Sequence, residues 1–246
     1  METSNPAFSE AAVKRMKASA ESHKSMTKSG AMVKTALLLV FVVAAGAINW
    51  QLAASQNPLA ITLTWVGALA ALGLSLAVIF ARRPNPVLII LYAIAEGLLL
   101  GGVSYIFNEA YSGIVVQAVL LTVAIFAAMF GLYGASVIRP TRKFQAGVLA
   151  ATFGILIFYL ITLILSLFGV QLTSLIVAGP LAIGIAAVIV IVAALNLLLD
   201  FGFVDEAVQA NMPAEFEWYG AFGLMVTLIW LYVSILRLLA IINNSR

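Results

Sequence analysis

The sequence predicts an all-α membrane protein that crosses the bilayer seven times, and three observations carry the prediction. Hydrophobic residues make up 63% of the 246 and charged residues only 9%, with a mean hydropathy of +1.11. Water-soluble domains carry about 25% charged residues, so most of this surface must face lipid. Seven unbroken apolar runs each reach the roughly 20 residues that a transmembrane helix needs. Lysines and arginines gather in alternate connectors, the bias that orients a multi-pass protein. Membrane strands do not fit, because they alternate apolar and polar residues over about 10 positions.

Residues 1–34 form a polar, basic tail, and residues 35–246 form the membrane domain. Lys14, Arg15, Lys17, Lys24, Lys28 and Lys34 all precede the first span. Basic residues in that position mark the cytoplasmic side or touch anionic headgroups, so the chain's basic balance implies no nucleic-acid partner. The first apolar run starts too late and runs too long for a signal peptide.

The seven spans are expected at 35–54, 58–81, 86–107, 113–138, 144–168, 172–199 and 218–242. Arg82 and Arg83 lie between spans two and three, and Arg139, Arg142 and Lys143 between four and five; the connectors after spans one, three and five have no Lys or Arg. This places the N-terminus in the cytoplasm and the C-terminus outside. A six-span reading with one re-entrant segment would put both ends inside. The connector after span six breaks the pattern: it holds Asp205, Glu206, Glu215 and Glu217 and nothing basic.

Small residues that let helix backbones approach are expected to form packing seams at Gly97, Gly101 and Ser104, at Ala127, Gly131 and Ala135, and at Gly147 and Ala151. Pro180, with Gly179 and Gly184, is expected to kink or loosen the outer part of span six.

The chain has no Cys, and its one histidine, His23, lies in the tail. The spans therefore lack the parts of serine, cysteine, zinc and aspartyl hydrolases, and no glycine-rich phosphate loop is present. No enzymatic activity and no cofactor are expected; metal binding is left open. What chemistry remains lies in a few ionisable residues. Glu96 sits mid-span, where a charge costs about 3 kcal/mol on insertion scales, so it must face the bundle as a proton or cation site or as a hydrogen-bonded acid. Asn196 and Asp200, one turn apart at the end of span six, put an amide and a carboxylate on one face at the membrane boundary. Arg82 and Arg83 end span two on the same side and can reach Asp200, or simply anchor their helix. Arg237, near the outer end of span seven, is expected to snorkel to the headgroups.

Several motifs together resemble the bacterial branch of the Bax inhibitor family: Ala81-Arg82-Arg83, Glu96-Gly97 with Gly101, Leu195-Asn196-Leu197-Leu198-Leu199-Asp200-Phe201, and Glu217-Trp218-Tyr219-Gly220-Ala221-Phe222-Gly223-Leu224 followed by Thr227 to Tyr232. The resemblance covers nearly the whole chain, from Asn5-Pro6-Ala7-Phe8 onward. It implies six helices around a central C-terminal helix and a pH-sensitive leak of calcium ions across a bacterial inner (plasma) membrane. It also implies a sensor made of two Asp residues and an Arg latch. Carried over, Asp200 is the first Asp, and Arg82 or Arg83 is the latch. Thr227 stands where the second Asp would be, and Glu217, about 15 Å earlier along the helix, does not replace it.

The expected function is accordingly a passive, pH-modulated cation (calcium) leak. A non-transporting membrane interaction protein, acting on a membrane protease or another membrane partner, is one alternative. A proton-coupled carrier built on Glu96 is the other.

Overall fold

The computed structural model describes residues 25–80, 84–135, 141–169 and 179–245. Among them are seven helices: α1 (Lys28–Ala54), α2 (Leu59–Phe80), α3 (Pro86–Ala110), α4 (Ile114–Gly134), α5 (Arg142–Leu167), α6 (Pro180–Gln209) and α7 (Phe216–Asn244). All seven are long and apolar enough to cross a membrane. Arg82, Arg83 and residues 1–24 lie outside the described residues.

Local chemistry sets the helix starts. The Thr27 side chain accepts from the Gly30 amide and caps α1. Asn85 accepts from the Val87 amide, with Pro86 next to it in the first turn of α3. Thr141 caps α5 through the Phe144 amide. Each supplies an acceptor to an amide that the helix leaves without one. Gly113, with φ of 82°, allows a left-handed turn that reverses the chain within three residues between α3 and α4.

Three boundaries differ from the hydropathy reading. Helix α1 starts at Lys28, because its cap lies ahead of the apolar run. Pro180 occupies the first turn of α6 instead of interrupting it, so it starts the helix and does not kink it. Helix α6 runs on to Gln209, which draws Asp205 and Glu206 into the helix and leaves the connector to α7 short. The charges hid this extension, since the inward stripe of Leu197, Phe201, Val204 and Ala207 stays buried at helical spacing beyond Asp200.

Helix α7 is the centre of the bundle. Helices α1, α3, α4 and α6 pack directly on it, while α2 lies outside against α1 and α3, and α5 lies outside against α6. The burial pattern agrees: α7 buries residues such as Leu224, Leu228, Leu231 and Ile235 along its length, whereas Val148 is the one residue of α5 that is fully buried. The end of the bundle where α1 begins, α6 ends and α7 begins is called the basic end below, after Lys28, Lys34, Arg142 and Lys143.

Candidate functional site

Asp200 lies nine residues before the end of α6, about 14 Å in from the helix terminus. The carboxyl is therefore inside the bundle, deeper than the boundary position expected from hydropathy. It faces α7, where the Thr227 hydroxyl interacts with it, and its Oδ1 lies 4.0 Å from where a side chain on Gly223 would begin. Its Oδ2 is buried with no hydrogen-bond partner among the described residues. Asp200 also lines a small cavity of about 190 Å³ with Tyr219, Gly220, Phe222 and Gly223. The glycines keep this side of α7 low enough to leave room beside the carboxyl.

The other expected site residues are distributed around this pair. Asn196 turns to α5, donating to Thr152 Oγ1 at 2.9 Å and to its own helix at Val192 O at 2.8 Å. It thus ties α5 to α6 and makes no described bond to Asp200. Glu96 is half-buried on α3, one turn from Tyr92, whose hydroxyl interacts with it. The Tyr92 ring meets Phe222 of α7 edge-on at 5.1 Å. The expected latch, Arg82 or Arg83, is outside the described residues; the described part of α2 packs on α1 and α3 and does not reach α6. Arg237 donates to the Tyr159 hydroxyl of α5 at 2.6 Å and lies over that ring. This is a helix-to-helix contact in place of the snorkelling expected from its position.

Glu217 forms the best-defined polar cluster. It opens α7 and is 6% exposed. Its Oε1 accepts from both the amide and the hydroxyl of Thr27, each at 2.9 Å. Its Oε2 pairs with Lys34, and the Lys34 ammonium also lies over the Trp218 ring at 5.5 Å. One carboxylate therefore sits at the N-termini of two helices, α1 and α7, where both dipoles favour negative charge. Around it, the Met26 amide donates to Met212 O at 2.7 Å, Ser25 bridges to Pro213, and Lys28 pairs with Asp205 at 2.7 Å. Met26 itself is 2% exposed. The segment leading into α1 is thus clasped onto the α6–α7 turn.

Sequence reasoning placed Lys34 in the tail as a topogenic charge and missed Thr27 altogether. Two signals were present. The connector after span six carried four acids without a base, so a counter-charge had to come from elsewhere, and Thr27 stood three residues before Gly30 at the start of a helical run.

A second polar knot was also missed: Asn49, fully buried, donates to Thr64 Oγ1 at 2.9 Å and to Leu98 O at 2.7 Å, joining α1, α2 and α3. Among the described residues, no three His, Cys, Asp or Glu side chains come together as a metal-binding set.

A bundle of seven membrane-length helices, wrapped on its last helix and holding a carboxyl in its interior, defines a multi-pass α-helical membrane protein. Residues 5–244 match the family described as Bax inhibitor 1 like, nearly the full length, and the chain belongs to that family. No curated protein matches it.

Proposed function

We propose that this protein is a passive, pH-modulated cation leak that conducts calcium across a bacterial plasma membrane, with its N-terminus in the cytoplasm. The observation that supports this reading best is Asp200: an acid inside the bundle, beside a small cavity, with one oxygen lacking a partner among the described residues. An ionisable group at such depth is expensive to keep and marks an ion or proton pathway by default. With the basic end in the cytoplasm, Asp200 lies in the cytoplasmic half. Ionised, it holds α6 closed through a charge-assisted pair with Arg82 or Arg83; acid from the cytoplasm neutralises it, removes the attraction and opens the path.

The test is calcium flux into liposomes carrying the full chain, measured across a pH series. Asp200→Asn should give flux that no longer responds to pH, and Arg82→Ala or Arg83→Ala should raise flux at neutral pH. A wild-type pH profile in Asp200→Asn refutes the assignment, and absence of flux in the wild type favours a non-transporting interaction protein.

A proton-coupled carrier is the second reading, favoured by the placement of Glu96 against Tyr92 on a helix that touches α7. It requires flux that depends on an opposing proton gradient and is abolished in Glu96→Gln.

A further inference from the structure

A cavity larger than the one beside Asp200 lies away from it, in the half of the bundle opposite the basic end. It measures about 810 Å³ and is walled by α1 and α4 and floored by α3 and α7, within the ~300–1,000 Å³ typical of small-ligand sites. Helices α1 and α4 do not pack on each other among the described residues, so the cavity is a groove open sideways between them. Its rims, Val43, Val116 and Val123, are more than half exposed. They are at membrane depth, so the mouth opens onto bilayer hydrocarbon. The floor is sealed, because Gly101 of α3 lies so close to Gly46 of α1 that a side chain on Gly101 would collide with the Gly46 carbonyl.

The lining says what class of occupant fits. It is mostly Val, Leu, Ile and Phe, and no Asp, Glu, Lys or Arg is among its residues. The polar side chains within it are already bonded to protein: Ser104 to the Tyr232 hydroxyl at 2.7 Å, Thr122 to Ala118 O at 2.7 Å, and Asn108 Oδ1 to the Gly113 amide at 3.1 Å. A vestibule for hydrated ions would present unspent donors, acceptors or charge. This groove carries no charge, and its buried hydroxyls are bonded to protein; at its outer end Gln51 stands beside Trp50, and Trp50 meets Tyr105 edge-on at 5.6 Å. Amphipathic rings and amides in that position belong to the headgroup level. From Gln51 to Leu39 along α1 the groove runs about 18 Å, more than half of the ~30 Å hydrocarbon core.

We propose that this groove holds one acyl chain of a membrane glycerophospholipid, whose headgroup rests at the Trp50–Gln51 collar and whose chain lies against Leu228, Ile229 and Tyr232 of α7. The site is independent of the leak reading, since it shares no residue with the Asp200 cavity. It contacts the same central helix one residue beyond Thr227.

Photolabelling the full chain in phosphatidylcholine nanodiscs, doped with a phosphatidylcholine that carries a diazirine in its acyl chain, tests it. Label should concentrate several-fold on groove residues such as Val43, Val119 and Val123 over Leu120 and Leu160, which are as exposed but face elsewhere. Val119→Phe, which fills the groove, should remove that enrichment, and Leu120→Phe, at the neighbouring lipid-facing position, should leave it. Even labelling around the perimeter means only annular lipid and overturns the proposal. So does enrichment obtained with a photoreactive free fatty acid and not with the phospholipid, or enrichment that survives Val119→Phe in a folded protein.

Discussion

Lys34 and Glu217, 183 residues apart, form an ion pair that joins the second turn of α1 to the first turn of α7. Glu217 is the more committed partner, because it also satisfies the Thr27 amide and hydroxyl. Hydrogen bonds to a charged group are each worth about 1.5–3 kcal/mol, and a buried charge left without its partner costs more than the pair contributes. Glu217→Ala should therefore cost about 3 kcal/mol, and Lys34→Ala about 1–2 kcal/mol, since the carboxylate left behind keeps its two bonds from Thr27. The attraction exists only while the carboxylate is ionised. Acid should weaken the wild type, therefore, and affect Glu217→Gln less. Thermal unfolding in detergent, run as a double-mutant cycle at two pH values, measures both effects. Additive losses from the two single substitutions would show that the pair contributes nothing.

Gly30 tests the same clasp without altering a charge. A Cβ at Gly30 would collide with the Glu217 carboxylate, and a helix interior otherwise prefers Ala over Gly by up to about 1 kcal/mol. Propensity predicts that Gly30→Ala stabilises; the collision predicts that it destabilises. The collision should win, because the carboxylate cannot retreat without giving up Thr27 and Lys34. A raised melting temperature in Gly30→Ala would mean that the clasp is loose.

The small-residue seams divide sharply. Side chains at Gly97 and Gly101 would strike the carbonyls of Val42 and Gly46, and one at Gly67 would lie 2.6 Å from Ala95 O. Backbone cannot move aside as a side-chain tip can, so Gly97→Ala and Gly101→Ala should each cost about 2 kcal/mol or more by forcing α1 and α3 apart. Gly131 and Gly147, also expected to pack, meet no described atom within 4 Å of that position. Gly131→Ala and Gly147→Ala should be neutral or slightly stabilising. Equal melting temperatures across the four variants would remove the distinction.

That contrast shows what was legible in the sequence. Span number follows from local hydropathy, whereas the caps at Thr27, Asn85 and Thr141, although local, were not picked out from the sequence. Which glycine faces a neighbour depends on the rotation of each helix, which a uniformly apolar segment does not encode, so the α1–α3 seam was legible and the openness around α4 and α5 was not. The same limit explains Asn196. Its one-turn spacing from Asp200 put both on one face, but α5 and α7 flank that face, and the amide and the carboxyl went to different neighbours. The clasp at Glu217 joins chain ends far apart in sequence, and only its unmatched acidic charge foreshadowed it.

Asp200 and Thr227 give the last prediction. The two side chains meet across the α6–α7 interface, so a carboxylate placed at 227 would face Asp200 directly. Two acids at that distance cannot both ionise freely: the first to lose its proton holds the second, and the pair titrates in two macroscopic steps. The natural chain has one acid there and a hydroxyl beside it, and a hydroxyl does not exchange a proton with a carboxylate as a second carboxyl would. Liposome flux in the wild type should follow pH in a single step, rising toward acid. Thr227→Asp should split that profile into two steps and extend closure over a different pH range. Thr227→Val, which keeps the shape and removes the hydroxyl, leaves Asp200 as the one acid there and should keep a single step. Asp200→Asn should abolish the step in the wild-type and Thr227→Val backgrounds and reduce the two steps of Thr227→Asp to one. A Thr227→Asp protein that folds and still titrates in one step at the wild-type pH would mean that the two positions do not face each other in the conducting protein.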